Sequence, residues 1–183
     1  MKASFLRSAL AVAVFSPVVV LGQGWFQYAS SVDSFRIHTP GDFKIEEVEY
    51  FSEYGAVFPA RVYSFESGRN HYSVTVVDYT DSKAIHAART NRTEADYLSL
   101  YWEIDIRASV AYAAANLRSR GGQVTYDAYH YIDRVEGHQL QITNTDQSRS
   151  YAAIYLHESR LYIVDATVAP GLPPPGMFQQ SLE

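Results

Sequence analysis

The sequence predicts an α+β fold, a mainly antiparallel sheet flanked by helices. Three observations predict it. Alternating apolar and polar runs come in two groups with helical patterns between them, and no strand–helix–strand alternation appears. Short connectors join neighbouring runs, the signature of hairpins. The chain carries 15 tyrosines and 9 phenylalanines, residue types that pack well on a pleated surface.

The chain has 183 residues, 47% of them hydrophobic and 19% charged. That composition excludes a disordered chain and suits one domain with a real core. Lys2 and Arg7, an apolar run over residues 9–21, and then Gly22 and Gly24 follow the order of a secretory signal peptide. The expected organisation is a leader over residues 1–24 and a single domain over 25–183. The apolar run is shorter than the roughly 20 residues of a membrane-spanning helix, and no later segment reaches that length. There is no cysteine, which excludes disulfides, thiolate metal sites, cysteine nucleophiles and a lipidated leader cysteine. A cysteine-free exported domain points to a bacterial envelope, so the expected location is periplasmic or secreted. Loss of Lys2 and Arg7 with the leader takes the formal charge from -5 to -7, which disfavours nucleic acid as a partner.

After the leader, "SFRIH", "FKIEEVEY", "AVFPARVYSF" and "HYSVTVVDY" read as an antiparallel meander. "TPGD" and "ESGRN" supply turns. Pro59 makes the third run an edge strand, or one that starts after the proline. "DSKAIHAART" reads as a short helix capped by Asp81 or Ser82. "NRTEADYLSLYWE" has weak periodicity and reads as irregular; its Asn91-Arg92-Thr93 sequon carries little weight in a bacterial chain. From Ile104 to Arg120 the stripe Ile106, Val110, Ala113, Ala114 and Leu117 marks the main helix. Arg118 and Arg120 suit its last turn, and Gly121-Gly122 stop it. "QVTYDAYHYI", "GHQLQIT", "RSYAAIYLH" and "RLYIVDATV" then form a second meander. In "GLPPPGMFQQSLE" the prolines start a short covering helix, with Phe178 and Leu182 on one face.

"FRIHTPGDFKI", the paired strands, the central helix, the second meander and the closing helix with its Phe together resemble the PsbP-like family of small exported proteins. The likeness runs over most of residues 35–182. The blocks "PARVYSFESGRNHYSVTVVDYTD" and "EGHQLQITNTDQSRSYAAIYLHESRLYIVDATVAPGLPPPGMFQQSL" are also similar to exported proteins of Gram-negative soil bacteria. The resemblance implies an α/β/α sandwich and a non-enzymatic accessory or assembly role. It supplies no catalytic residues.

A search for chemistry finds no G-x-S-x-G elbow, P-loop or G-x-G-x-x-G. The six histidines show no metal-ligand spacing and fall mostly near strand ends. Asp78 and Asp81 read as a turn and a helix cap. No catalytic residue, metal or cofactor is therefore expected. Asp165 interrupts an apolar strand and needs a partner: Arg61, Arg134 or a ligand. Tyr129 and Tyr131 share one face of their strand, and Tyr151 and Tyr155 share one face of theirs. If the two faces coincide, they form a wet aromatic surface for a peptide, glycan or protein. The binding residues expected are thus Tyr129, Tyr131, Tyr151, Tyr155, Asp165 and Arg61. The functional expectation is an exported, non-enzymatic protein that binds a protein or an envelope component. The alternative is a small-ligand carrier with a pocket between sheet and helix, lined by tyrosines and Asp165; a hydrolase ranks last.

Overall fold

Alternating side chains of neighbouring hairpins build a seven-stranded antiparallel sheet in a computed structural model that describes residues 24–90 and 100–183. The expected leader over residues 1–24 and the sequon at Asn91 lie outside the described residues, except for Gly24. The strands are β1 (Phe26–Ser30), β2 (Phe35–Thr39), β3 (Lys44–Phe51), β4 (Val57–Ser67) and β5 (Asn70–Asp78). Helices α1 (Ser82–Ala88) and α2 (Tyr101–Ser119) follow. Then come β6 (Gln123–Ile132), β7 (Val135–Thr143), β8 (Arg149–His157), β9 (Arg160–Val168) and the one-turn α3 (Gly176–Gln179). The sheet order is β3-β4-β5-β9-β8-β7-β6, so β9 joins the two meanders at the centre.

The α+β architecture with helices flanking an antiparallel sheet is present, with three differences from the sequence reading. "SFRIH" is not part of the meander. It pairs instead with β1, an unforeseen strand, in a separate two-stranded ribbon. The chain leaves that ribbon through Pro40-Gly41. A Cβ on Gly41 would sit 2.1 Å from the Phe65 ring, so only glycine passes there. Pro59 lies inside β4, an inner strand. It is tolerated because the β5 ladder begins one residue later, at Ala60, leaving β4 locally an edge. The main helix starts at Tyr101, three residues before the predicted Ile104, so Tyr101, Trp102 and Glu103 are helical rather than irregular.

Each face of the sheet buries its own core. On one face α1 and α2 cover Phe58, Val77, Leu140, Ile154 and Leu161, with Ala113, Ala114 and Leu117 as the helical contacts. On the other, the ribbon and α3 cover Tyr63, Tyr72, Val74, Tyr151, Tyr155 and Val164. The closing segment does what its sequence suggests. Phe178 is fully buried and Leu182 is 7% exposed; the Phe178 ring meets Tyr72 edge-on at 5.4 Å. Glu183 then exchanges two backbone hydrogen bonds with Arg36 of β2, each 2.9 Å.

The covers stop short of both edges. α2 packs across β7, β8 and β9, and among the described residues both edge strands, β3 and β6, stay largely exposed. At the β3 edge charges guard the strand, with Lys44, Glu46, Glu47 and Glu49 along it. β6 carries a single charge, Asp127, and one register shift between Val124 and Tyr126.

Phe178→Ala is expected to destabilise the fold by about 3 kcal/mol. Met177→Ala beside it, at an exposed position, is expected to change stability by under about 0.5 kcal/mol. Urea denaturation of both variants checks the pair. Equal midpoints would remove α3 from the core.

Candidate functional site

The β6–β7 hairpin turns on Asp133 and Arg134, both in the left-handed region with φ of 45° and 74°. That tight turn sets Tyr129 opposite His138 and Tyr131 opposite Glu136. The Tyr129 ring meets His138 edge-on at 5.6 Å. The Tyr131 hydroxyl donates to Glu136 Oε2 at 3.2 Å. Tyr129 is nonetheless 74% exposed and Tyr131 60%, so their rings present apolar area to solvent.

Below them an ion cluster ties helix to hairpin. Arg118 of α2 donates twice to Asp127 of β6, at 2.8 and 2.9 Å. This is the bidentate geometry that makes arginine–carboxylate pairs strong. His138 Nε2 lies 2.5 Å from the same carboxylate. The Arg118 hydrogen bonds, with help from His138, hold the Asp127 carboxyl below its ordinary pKa. Between α2 and the hairpin an open cleft of about 700 Å³ is lined by Val110, Ala114, Arg107, Arg134 and His157, among others.

The six expected site residues do not converge. Tyr129 and Tyr131 lie on the α2 side of the sheet: Tyr129 is paired across to His138, and His138 to Ile154, which packs beneath the helices. Tyr151 and Tyr155 lie on the opposite face, 4% and 2% exposed, in the core beneath the ribbon and α3. The composite aromatic surface therefore does not form. Its strands are neighbours but one, and their tyrosines alternate to opposite sides. The Tyr155 hydroxyl instead meets His130 Nδ1 at 2.8 Å, and burial raises its pKa.

Asp165 is a buried carboxylate on β9, and its partner is Arg120 at the end of α2, rather than Arg61 or Arg134. The pair fastens the helix C-terminus to the central strand. Arg61 has a different partner. It donates to Asp33 Oδ1 at 2.6 Å, while the Tyr63 hydroxyl donates to Asp33 Oδ2 at 2.6 Å. Tyr162 closes the group with a hydrogen bond to the Asp33 carbonyl at 2.9 Å. Burial first, and the bond to Asp33 second, push the Tyr63 hydroxyl up to about 12. Asp165 and Arg61 are both joints between the sheet and its covers.

A third buried carboxylate escaped the sequence reading. Asp105 of α2 is 1% exposed. Its Oδ2 accepts from Ser52 Oγ at 2.5 Å and from His86 Nε2 at 2.8 Å. Serine and histidine meet at the carboxylate rather than at each other, and all three are buried. The group pins α1 and α2 to the β3–β4 turn, where Ser52 Oγ also accepts from the Ala56 N–H at 3.1 Å. His86 is thus a buried helix residue, and His130 and His138 sit within strands; His71 and His157 fit the strand-end expectation. Asp78 forms the expected turn, accepting from the Thr80 N–H at 2.9 Å. Asp81 occupies the N-cap of α1 but makes no side-chain cap bond. The Arg118–Asp127–His138 cluster was missed as well. Its available signal was Gly121-Gly122, which turns the chain back so that β6 runs beside the end of α2.

Among the described residues no group of three or more His, Asp or Glu side chains is arranged to hold a metal ion. No helix among them is long and apolar enough to cross a membrane. No family model matches the chain, and no curated protein matches it. Among solved structures it is similar to the solution structure of cyanobacterial PsbP (CyanoP) from Synechocystis sp. PCC 6803. The identity is 15%, the match covers 85% of this chain and 86% of that one, and the TM-score is 0.42. At that score the fold assignment rests on the sheet order itself and not on this neighbour.

Two variants test the joints. Arg120→Ala leaves the buried Asp165 carboxylate without its cation and is expected to cost about 2 kcal/mol in urea denaturation. For Asp127 the folded pKa is depressed. Its contribution is therefore complete above the unfolded value of about 4 and is lost as pH falls through the folded value. Asp127→Asn should lower the urea midpoint at neutral pH. Variant and wild type should converge as pH falls through that folded value. A constant gap across that range would show that the cluster does not titrate as described.

Proposed function

We propose that this chain is an exported, non-enzymatic binding protein of the bacterial envelope, and that it engages a protein partner through the β6–β7 hairpin. The observation that carries the reading is the β6 edge, where Tyr129 and Tyr131 stand exposed on a strand whose outer side is unpaired among the described residues. Large, rigid aromatic side chains on a surface are the residue type that dominates interface energies. An edge strand with few charges is open to pairing with a partner's extended segment. The leader-like start of the sequence supports the envelope as the place where this happens.

A second reading, a small-ligand carrier, has one observation in its favour. An apolar pocket of about 230 Å³ lies between the ribbon, the β6–β7 turn and the C-terminal residues, with Phe35, Ile132, Val135 and Leu182 among its walls. It is on the ribbon side of the sheet and not under the helices, and Asp165 does not line it.

Tyr129→Ala/Tyr131→Ala is expected to leave the melting temperature unchanged, since both rings are exposed. It should abolish capture of the partner when the mature protein is used as bait in native envelope extract. A ligand that raises the melting temperature, with no partner captured by wild type, would replace the binding-protein reading by the carrier. Cytoplasmic retention of a tagged full-length chain would remove the export claim.

A further inference from the structure

We propose that the cleft between α2 and the β6–β7 hairpin takes an extended acidic segment of the partner protein, its carboxylates seated on Arg107 and Arg134. This rests on the binding reading above and names the chemistry of what is bound.

The cleft, at about 700 Å³, lies in the range of roughly 300–1,000 Å³ that holds ligands. Its floor is small and apolar, with Val110 and Ala114 of α2 facing the hairpin, while cationic side chains stand on its rim. Their charges differ in availability. Arg118 is neutralised by its two hydrogen bonds to Asp127. Among the described residues the ion pair of Arg107 is a loose one, 3.7 Å from Glu103, and its side chain is 81% exposed. Arg134 takes part in no ion pair among the described residues. Its left-handed backbone fixes it at the tip of the turn, beside the cleft. The acid on the rim, Glu136, already accepts from Tyr131. Two guanidinium groups are thus open at one end, and the other end carries a guanidinium already oriented by Asp127.

The spacing selects the ligand shape. Arg107 and Arg118 are separated by about 16 Å along the helix at 1.5 Å per residue. An extended chain covers that length in about five residues, with alternate side chains on the same side. Carboxylates on alternate residues then face the rim along its length, two of them meeting Arg107 and Arg134, whereas a single phosphate matches one guanidinium. The distribution of charge points the same way. The chain is acidic as a whole, at -5, and Glu46, Glu47 and Glu49 concentrate at the opposite edge of the sheet. A large anionic surface, such as a membrane or a nucleic acid, meets that repulsion. A short acidic segment lying in the cleft meets chiefly the rim cations, and Tyr129 stands beside it as an aromatic anchor.

The test is fluorescence anisotropy on the mature chain with a labelled hexapeptide of alternating glutamate and valine. A peptide of alternating glutamine and valine is the control. The glutamate peptide is expected to bind at least about tenfold more tightly, with affinity falling as salt is raised. Arg107→Glu/Arg134→Glu should lose that preference while melting normally, since both residues are on the surface. Arg107→Gln/Arg134→Gln should show a partial loss. Equal binding of the two peptides, or an unchanged preference in the double variant, overturns the inference. So does arginine-dependent binding of phosphatidylglycerol vesicles without peptide binding, which assigns the cleft to lipid. Self-association relieved by the same substitutions would assign it to the acidic β3 edge of a second copy and overturn it too. Envelope capture separates the two levels. If the arginine variant keeps a partner that Tyr129→Ala/Tyr131→Ala loses, the acidic segment is wrong and the binding surface stands. If both variants keep it, the surface itself is wrong.

Discussion

The width of the sheet is the constraint on which the rest depends. Seven strands at about 4.8 Å spacing span roughly 30 Å. A helix with its side chains is only about 10 Å across. Among the described residues one long helix, α2, and one short one, α1, serve one face. On the other face lie a two-stranded ribbon and a single helical turn. Central strands are therefore buried on both faces. β9 accordingly reads as a nearly continuous apolar run in which Asp165 is conspicuous. The shortfall of cover falls at both edge strands, β3 and β6; at β6 it leaves exposed aromatic residues beside an open cleft.

Three buried carboxylates position the covers. Asp33 joins the ribbon to Arg61 and Tyr63 of β4. Asp105 joins α2 to α1 and to the β3–β4 turn. Asp165 joins the central strand to the end of α2. Removing such a charge from water is costly, and the pair roughly recovers that cost. What the joints add is direction, since apolar contact alone would let a helix slide on the sheet. Fixing α2 at both ends fixes the spacing of Arg107 and Arg118 against the hairpin. The cleft is in that sense a product of joints buried elsewhere in the molecule.

Much of this was legible in one dimension. The bounds of β8 and β9 follow from alternation alone, although the turn between them uses Glu158 and Ser159 in left-handed conformations instead of the usual Asn-Gly. The end of α2 follows from Gly121 and Gly122, both at positive φ. β1 was not legible, because "FQYAS" adjoins the leader and its partner is five residues away across a turn. The detachment of β2 was not legible either. Alternation specifies a strand but not which sheet it joins. The partners of Asp165 and Arg61 were out of reach for a related reason. Arg120 is 45 residues from Asp165, and Asp33 is 28 from Arg61, distances over which only the fold decides proximity. The tyrosine pattern misled by parity. Each pair does share a face of its own strand, but nothing in the local sequence says whether two strands present those faces to the same side.

The two edges of the sheet show what selection on such a surface has to satisfy. An exposed strand invites pairing with any extended chain, and β3 answers with four charged side chains. β6 lacks that protection along ten residues. Its single charge, Asp127, is turned toward Arg118 and does not face an incoming strand. On the proposed reading, neutralising Arg118 in this way would also narrow what the neighbouring cleft accepts. With Asp127 in place, the wall is a fixed dipole, and Arg107 and Arg134 stand at the other end of the cleft as its exposed cations, so indiscriminate attraction of anions is reduced. On the proposed reading, an edge left open beside a cleft tuned in charge would give selectivity that neither feature has alone. Backbone pairing rewards any extended segment, and the cleft restricts which side chains that segment carries.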